Sequence, residues 1–114
     1  MNQDIKAKWV TALRSGKYTR GKEFLQRNGR YCCLGVLCDI AASENVVTAA
    51  KLGNIVNYDN MRHVLPTAVL KWADIKTPFV YLDNPVKGWT SLTGLNDSSS
   101  ATFAEIADVI ETQL

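Results

Sequence analysis

Residues 17–30 contain the side chains best suited to bind a charged ligand. Arginine forms forked hydrogen bonds with phosphate, lysine supplies a point charge, and glycine lets backbone amides approach an anion. A tyrosine ring can stack on a nucleic acid base, or it can anchor the loop to the core. The segment therefore predicts a phosphate site, with the alternative that its charges mainly keep an exposed hairpin soluble. The candidate ligands are Lys17, Tyr18, Arg20, Gly21, Lys22 and Arg30.

A second polar pair lies in the segment LNDSSS, which is predicted to be a loop after an apolar strand. Asn96 and Asp97 supply an amide and a carboxylate, which suit the hydroxyls of a sugar or the edge of a base. Asn96 and Asp97 therefore join the ligand-binding candidates. Alternatively, either side chain bonds local backbone amides and fixes the turn.

A catalytic alternative comes from Cys33, His63 and either Asn84 or Asn96, which have the residue types of a papain-like cysteine hydrolase. A thiol at the amino terminus of a helix has a lowered pKa, and this favours the thiolate. The apolar neighbours of Cys33 instead indicate a buried, inert thiol, and a single histidine is a narrow basis for a catalytic pair. A binding protein is therefore favoured over an enzyme.

The sequence contains no spacing typical of a metal site or a cofactor-binding loop. Cys32 and Cys33 are adjacent and point apart on a helix, and Cys38 does not share a helical face with Cys33. There is no Walker sequence, no G-x-G-x-x-G run and no G-x-S-x-G elbow. The sequence therefore predicts neither a bound metal nor a cofactor.

The composition is that of one globular domain over residues 1–114. Hydrophobic residues make up 46% of the chain and charged residues 21%, which disfavours a disordered or fibrous protein. No apolar run approaches the ~20 residues that cross a bilayer, and the amino terminus lacks the apolar core of a secretion signal. Three closely spaced cysteines predict reduced thiols rather than a disulfide framework. These features predict a cytoplasmic protein without membrane contact.

The charges are distributed unevenly along the chain. Residues 1–31 hold eight basic and two acidic residues, a net charge of +6, whereas residues 32–114 hold five basic and nine acidic residues, a net charge of −4. Such separation suits an anionic partner at a basic face. It also suits a homo-oligomer in which the basic amino-terminal and acidic carboxy-terminal faces of two copies meet, or solvated faces that simply differ.

The fold is predicted to form around the apolar stretch Arg30–Ala42, which has the pattern of a helix buried on nearly all sides. Gly35 within it lowers helix stability by roughly 1 kcal/mol relative to alanine, so another backbone is expected to pass close by. A first helix is indicated by Ile5, Trp9 and Leu13, which recur at helical spacing. Asn2 is its predicted cap and Gly16 its predicted stop.

Two hairpins are predicted from turn residues between runs that can pair. Asn28-Gly29 suits the two positive-φ positions of a tight turn. Asp83-Asn84-Pro85 and Gly88 indicate a longer loop between the strands of the second hairpin. The predicted strands are Lys22–Gln26, Arg30–Cys32, Phe79–Leu82 and Trp89–Leu92, with at most one further short strand around Asn54–Tyr58.

Two more helices complete the prediction. Leu65-Pro66 marks a helix start, because proline is tolerated at the first helical position. Thr102 and Glu105 have the spacing of a capping box before the final helix, whose apolar face recurs at helical spacing through Leu114. The predicted class is therefore α+β, with about four helices around a small antiparallel sheet built from two hairpins.

The order of these segments resembles a family of small, functionally uncharacterised proteins found in bacteriophage and bacterial genomes. The resemblance covers most of the chain and rests on LRSGKY, TRGK, the CCLGVLCDIA helix, LPTAVLKWA, and SLTGLND before TFAEIADVIE. It implies a phage or prophage accessory role, including interference with host defence. It transfers no catalytic residue.

Three functions are consistent with this sequence. The favoured one is a non-catalytic protein that sequesters a small phosphate-bearing ligand, such as a nucleotide signal. The second is an inhibitor or adaptor that binds a host protein. Nucleic-acid binding ranks third, because the net charge is only +2 and the basic residues do not continue along a stripe.

Overall fold

Five helices and seven strands form the fold in the computed structural model, which describes residues 1–114. The predicted α+β class is confirmed, with one more helix than expected. None of the helices combines the length and apolar character that crossing a membrane requires. The helices are α1 (Gln3–Arg14), α2 (Cys33–Ser43), α3 (Thr67–Ala73), α4 (Leu92–Ser98) and α5 (Phe103–Gln113). The strands are β1 (Thr19–Arg20), β2 (Gln26–Arg27), β3 (Arg30–Tyr31), β4 (Ala49–Leu52), β5 (Ile55–Tyr58), β6 (Tyr81–Val86) and β7 (Trp89–Ser91).

The strands form two separate sheets rather than one antiparallel sheet. The larger sheet has the order β1-β3-β2-β5-β4, and the smaller sheet pairs β6 with β7. Strand β1 runs parallel to β3, so the larger sheet is mixed. The two predicted hairpins therefore lie in different sheets. The prediction missed β1 and β4, because a two-residue strand and an entirely exposed strand carry no alternation of apolar and polar residues.

Helix α2 lies at the centre of the core, as the sequence predicts. Its residues from Cys33 to Cys38 are all buried. A Cβ atom added at Gly35 would lie only 2.6 Å from the carbonyl carbon of Leu25, which confirms the close approach of another backbone. The indole Nε1 of Trp9 in α1 donates a hydrogen bond of 2.9 Å to the carbonyl oxygen of Cys33.

Helices α1 and α5 pack together and begin at the predicted caps. The side chain of Asn2 accepts hydrogen bonds from the first backbone amides of α1, and Thr102 and Glu105 form the predicted capping box of α5. Arg14 of α1 forms ion pairs with Asp108 and Glu111 of α5. The basic amino-terminal and acidic carboxy-terminal segments are thus partly neutralised within one chain.

The first hairpin turns at the predicted Asn28-Gly29 step. These residues have φ angles of 56° and 73°, the left-handed values that a two-residue hairpin turn requires. The strands on either side are shorter than predicted. The chain bends before Gln26, because Glu23 has a φ of 70° and the Leu25 amide donates to the carbonyl oxygen of Arg62 rather than to β3.

The second hairpin and the segment after it differ from the prediction. The turn is at Lys87-Gly88, so the residues 83–85, predicted to be a loop, belong to β6. The predicted strand at Trp89–Leu92 ends at Ser91, and the side chain of Ser91 caps α4. The segment LNDSSS therefore begins inside a helix and not in a loop. Leu92 and Leu95, one helical turn apart, bury one face of α4.

Candidate functional site

A small basic cavity lies beside the turn of the first hairpin. Its volume is about 110 Å³, and every residue that lines it is polar, charged or glycine. No carboxylate lines it. We refer to it as the basic hairpin cavity, and its lining residues are Gly21, Lys22, Arg27, Asn28 and Arg30.

The strand register places two cations of this cavity directly opposite each other. Arg27 and Arg30 are paired across β2 and β3, so their side chains lie on the same face of the sheet. Like charges in this arrangement destabilise a sheet. Neither arginine takes part in any of the ion pairs of the structure, which use other side chains. The two positive charges are therefore left without a protein counterion.

Other contacts fix the walls of the cavity. The guanidinium of Arg27 lies 4.2 Å from the centre of the Phe24 ring, which limits its motion. The Gly21 amide donates a hydrogen bond of 2.6 Å to the Tyr31 carbonyl oxygen. A Cβ at Gly21 would lie 2.8 Å from the Cβ of Arg30, so glycine is required for the loop to pack this closely against β3. The Lys22 side chain remains exposed.

Asn96 is fully buried and joins three parts of the chain beneath the cavity. Its Oδ1 accepts a hydrogen bond of 3.1 Å from the Cys33 amide, at the start of α2. Its Nδ2 donates to the Gly21 carbonyl oxygen at 3.0 Å and to the Asp97 carboxylate at 2.9 Å. Asn96 therefore positions the loop that forms one wall of the cavity and is not itself accessible to a ligand.

Arg20 and Asp97 also bond within the fold. The Arg20 guanidinium donates to the carbonyl oxygens of Asn96 and Ser99, which lie at the carboxyl end of α4. The Asp97 carboxylate accepts a hydrogen bond of 3.0 Å from the Glu23 amide, where the backbone has a positive φ. The sequence left open the alternative that residues 96 and 97 bond local backbone amides, but their backbone partners lie more than 60 positions away in the chain.

Two predicted ligands, Lys17 and Tyr18, lie outside the basic hairpin cavity. The Tyr18 hydroxyl donates a hydrogen bond of 2.6 Å to the Asp39 carboxylate of α2, and its ring meets the Tyr31 ring edge-on. Burial and the bond to Asp39 raise the pKa of the Tyr18 phenol. Both residues line a shallow groove of about 480 Å³ along α1. Of the eight predicted site residues, the cavity thus brings together Gly21, Lys22 and Arg30.

Two lining residues, Arg27 and Asn28, are not among the ligands predicted from the sequence. The predicted Asn28-Gly29 turn could have identified both residues as part of the site. Residues on either side of a two-residue turn are cross-strand partners. Arg27 and Arg30 flank this turn, so the hairpin prediction already implied that their charges are adjacent.

The geometry around Cys33 differs from that of an activated nucleophile. The thiol is fully buried, and this burial raises its pKa well above the usual range. His63 forms no hydrogen bond with it and instead has its Nδ1 2.9 Å from the Glu23 carbonyl oxygen. Asn96 bonds the backbone amide of Cys33, not a histidine. These contacts give Cys33 a structural role in the core.

The structure contains no group of three or more histidine, cysteine, aspartate or glutamate side chains placed to hold a metal ion. All three cysteines are free thiols and are buried. The donors that line the basic hairpin cavity are cationic side chains and one amide, which suit an anion and not a metal.

The chain matches a protein-family model over its whole length. A family model described as "Domain of unknown function (DUF8296)" matches residues 1–114. Neither the curated proteins nor the solved structures give a match.

Proposed function

The chain belongs over its whole length to the DUF8296 family of domains of unknown function, and we propose that it is a non-catalytic protein that binds a phosphate group in the basic hairpin cavity. The observation that carries this proposal is the pairing of Arg27 with Arg30 across the hairpin, without a counterion. An anion between the two guanidinium groups would attract both of them and offset the repulsion between the two arginines. Lys22 adds a third positive charge at the rim.

The size of the cavity limits what it holds. Pockets that enclose a whole small molecule usually have volumes of roughly 300–1,000 Å³. A cavity of about 110 Å³ accommodates a single oxyanion such as a phosphate group. The remainder of a nucleotide would therefore lie outside, over the exposed hairpin. The Arg27 guanidinium lies over the Phe24 ring, and the centre of that ring is 4.6 Å from the centre of the His63 ring.

A thermal-shift panel tests the proposal. Inorganic phosphate, diphosphate and mono-, di- and cyclic nucleotides are each added to the parent chain, and we expect at least one to raise the melting temperature. A ligand at 100 times its Kd stabilises the folded state by about 2.7 kcal/mol, because it binds the folded state alone. Arg27→Ala and Arg30→Ala are each expected to remove this shift.

A matched control separates this site from general charge effects. Lys71 lies on α3, is exposed and forms no ion pair. Lys71→Ala changes the net charge by the same amount as either arginine variant and should retain the shift. Without ligand, Arg30→Ala should melt no lower than the parent, because it removes a like-charge pair. Ligand-dependent shifts that survive in both arginine variants would place the site elsewhere.

The biological setting is a further part of the proposal. The resemblance to small bacteriophage and bacterial proteins supports a phage or prophage accessory role. In that role, sequestering a nucleotide signal would interfere with host defence. Buried, unpaired thiols are consistent with a reducing compartment such as the cytoplasm.

A second candidate function, binding to a host protein, is supported by exposed aromatic side chains. Phe79 is 43% exposed and Tyr81 59% exposed, and their ring centres are 6.2 Å apart. Aromatic residues are enriched at protein interfaces. A pull-down from a host lysate with the parent and with Tyr81→Ala tests this alternative. A partner recovered by the parent but not by the variant supports it, and equal recovery contradicts it.

A further inference from the structure

Strand β4 forms an open edge of the larger sheet. It pairs with β5 on one side and has no neighbour on the other. All four residues of the strand are exposed on both faces of the sheet, and Leu52 is 56% exposed. Such an edge is a template for another strand unless it is protected.

The hydrogen bonds between β4 and β5 show which backbone groups of β4 point toward the open edge. The Asp59 amide donates to the Thr48 carbonyl oxygen at 2.9 Å, and hydrogen-bonded pairs alternate along antiparallel strands. Ala50 and Leu52 therefore exchange hydrogen bonds with β5, as the register of the two strands requires. The backbone N–H and C=O groups of Ala49 and Lys51 point away from β5 and have no partner in the chain.

The other edges are better protected. The β6–β7 pair contains Pro85 and an irregular register, both of which hinder the addition of a strand. Strand β1 is only two residues long. The β4–β5 pair, in contrast, keeps a regular register over four residues and contains no proline. Lys51 is the one charged residue of these two strands that could hinder the addition of another strand.

We propose that a second copy of this chain pairs with β4 in antiparallel orientation about a two-fold axis at Ala50. Ala50 then faces its own copy in a close, non-hydrogen-bonded pair, where small side chains fit. Ala49 faces the partner's Lys51, and the unpaired groups of these residues form four hydrogen bonds across the interface.

Charge disfavours the register with the axis at Lys51. A shift by two residues would place Lys51 opposite the partner's Lys51, and like charges directly opposite each other destabilise a sheet. With the axis at Ala50, each Lys51 faces an alanine. Because the axis is perpendicular to the sheet, both copies present Arg27 and Arg30 on the same face of one continuous ten-stranded sheet.

The interface is small, which determines the strength of the dimer. Four residues of each copy bury far less than the roughly 1,200–2,000 Å² of a stable interface. We therefore expect a reversible dimer whose population rises with protein concentration. Sedimentation equilibrium should show this rise for the parent. Lys51→Pro should remain monomeric, because it removes an outward N–H without breaking a bond to β5.

Engineered cysteines test the register. In the proposed dimer the Cα atoms of the two Ala50 residues are about 4.5 Å apart, within the range of a disulfide. The two Ala49 residues are about 8 Å apart, beyond that range. Under mild oxidation, Ala50→Cys should form a covalent dimer at least tenfold faster than the matched variant Ala49→Cys. The native cysteines are buried, so the parent should remain uncrosslinked.

Each outcome of this experiment is informative. Faster cross-linking of Ala50→Cys supports the two-fold pairing. Equal rates, faster cross-linking of Ala49→Cys, or no covalent dimer at a concentration where the parent sediments as a dimer would overturn it. A parent that stays monomeric at all concentrations would also overturn it. Both substitutions are on exposed positions, and circular dichroism verifies that the variants are folded.

Discussion

Gly35→Ala is expected to lower the free energy of unfolding by about 3 kcal/mol or more. The added methyl group would lie 2.6 Å from the carbonyl carbon of Leu25 and closer still to its oxygen. Backbone atoms of both segments are buried and cannot move aside without disturbing α2 and the loop before β2. Gly35→Leu should prevent folding altogether. Urea denaturation followed by circular dichroism measures the difference.

Gly29→Ala is the matched control for this prediction. Gly29 has a positive φ, but a Cβ there would meet no atom within 4 Å. Its replacement should therefore lower the free energy of unfolding by only about 1 kcal/mol, the cost of holding alanine at a positive φ. If Gly35→Ala is no less stable than Gly29→Ala, the close approach of α2 to Leu25 is not a determinant of this fold.

Asn96→Ala is expected to lower the free energy of unfolding by about 3 kcal/mol. The substitution leaves the Cys33 amide and the Gly21 carbonyl oxygen without their side-chain partner, and a buried unsatisfied group costs roughly 1–3 kcal/mol. Asn96→Asp should also destabilise, because a carboxylate would face the Gly21 carbonyl oxygen and the Asp97 carboxylate at close range. Chemical denaturation of both variants tests this.

Asn84→Ala serves as the control for Asn96. Asn84 is exposed, and only its backbone takes part in hydrogen bonds, with the side chain of Gln113. Its replacement should change stability by less than about 0.5 kcal/mol. Equal stability of the Asn84 and Asn96 variants would show that the buried network beneath the cavity does not hold the loop in place.

The parts of the fold that the sequence predicts are those with a local signal. Helices α1 and α5 have apolar residues at helical spacing and recognisable caps, and α2 is a continuous apolar stretch. The Asn28-Gly29 turn needs two positive φ angles that these residues adopt readily. The two residues of β1 pair with β3 in parallel orientation, and no local sequence pattern predicts such a contact. The segment LNDSSS contains three serines and two other polar residues, which suggested a loop, although its first residue, Leu95, forms a helical face with Leu92.

The candidate site depends on long-range contacts that the sequence does not reveal. Asn96 bonds residues 63 and 75 positions away in the chain. Its amide is therefore used inside the fold, whereas the sequence offered it as a ligand for a sugar or a base. Arg20 also bonds within the fold, because its guanidinium donates hydrogen bonds to carbonyl oxygens at the end of α4. What remains available is the set of cations at the hairpin, including Arg27, which the predicted Asn28-Gly29 turn already placed opposite Arg30.

Titration with inorganic phosphate, followed by ¹H–¹⁵N NMR, tests the central claim most directly because it reports the position of binding. We predict that the backbone amides of Gly21, Lys22, Asn28 and Arg30 shift with a common Kd, and that the Arg30→Ala variant loses these shifts. Shifts confined to the groove along α1 or to the exposed aromatic residues, or no shifts at the hairpin at millimolar phosphate, would contradict an anion site in the basic hairpin cavity.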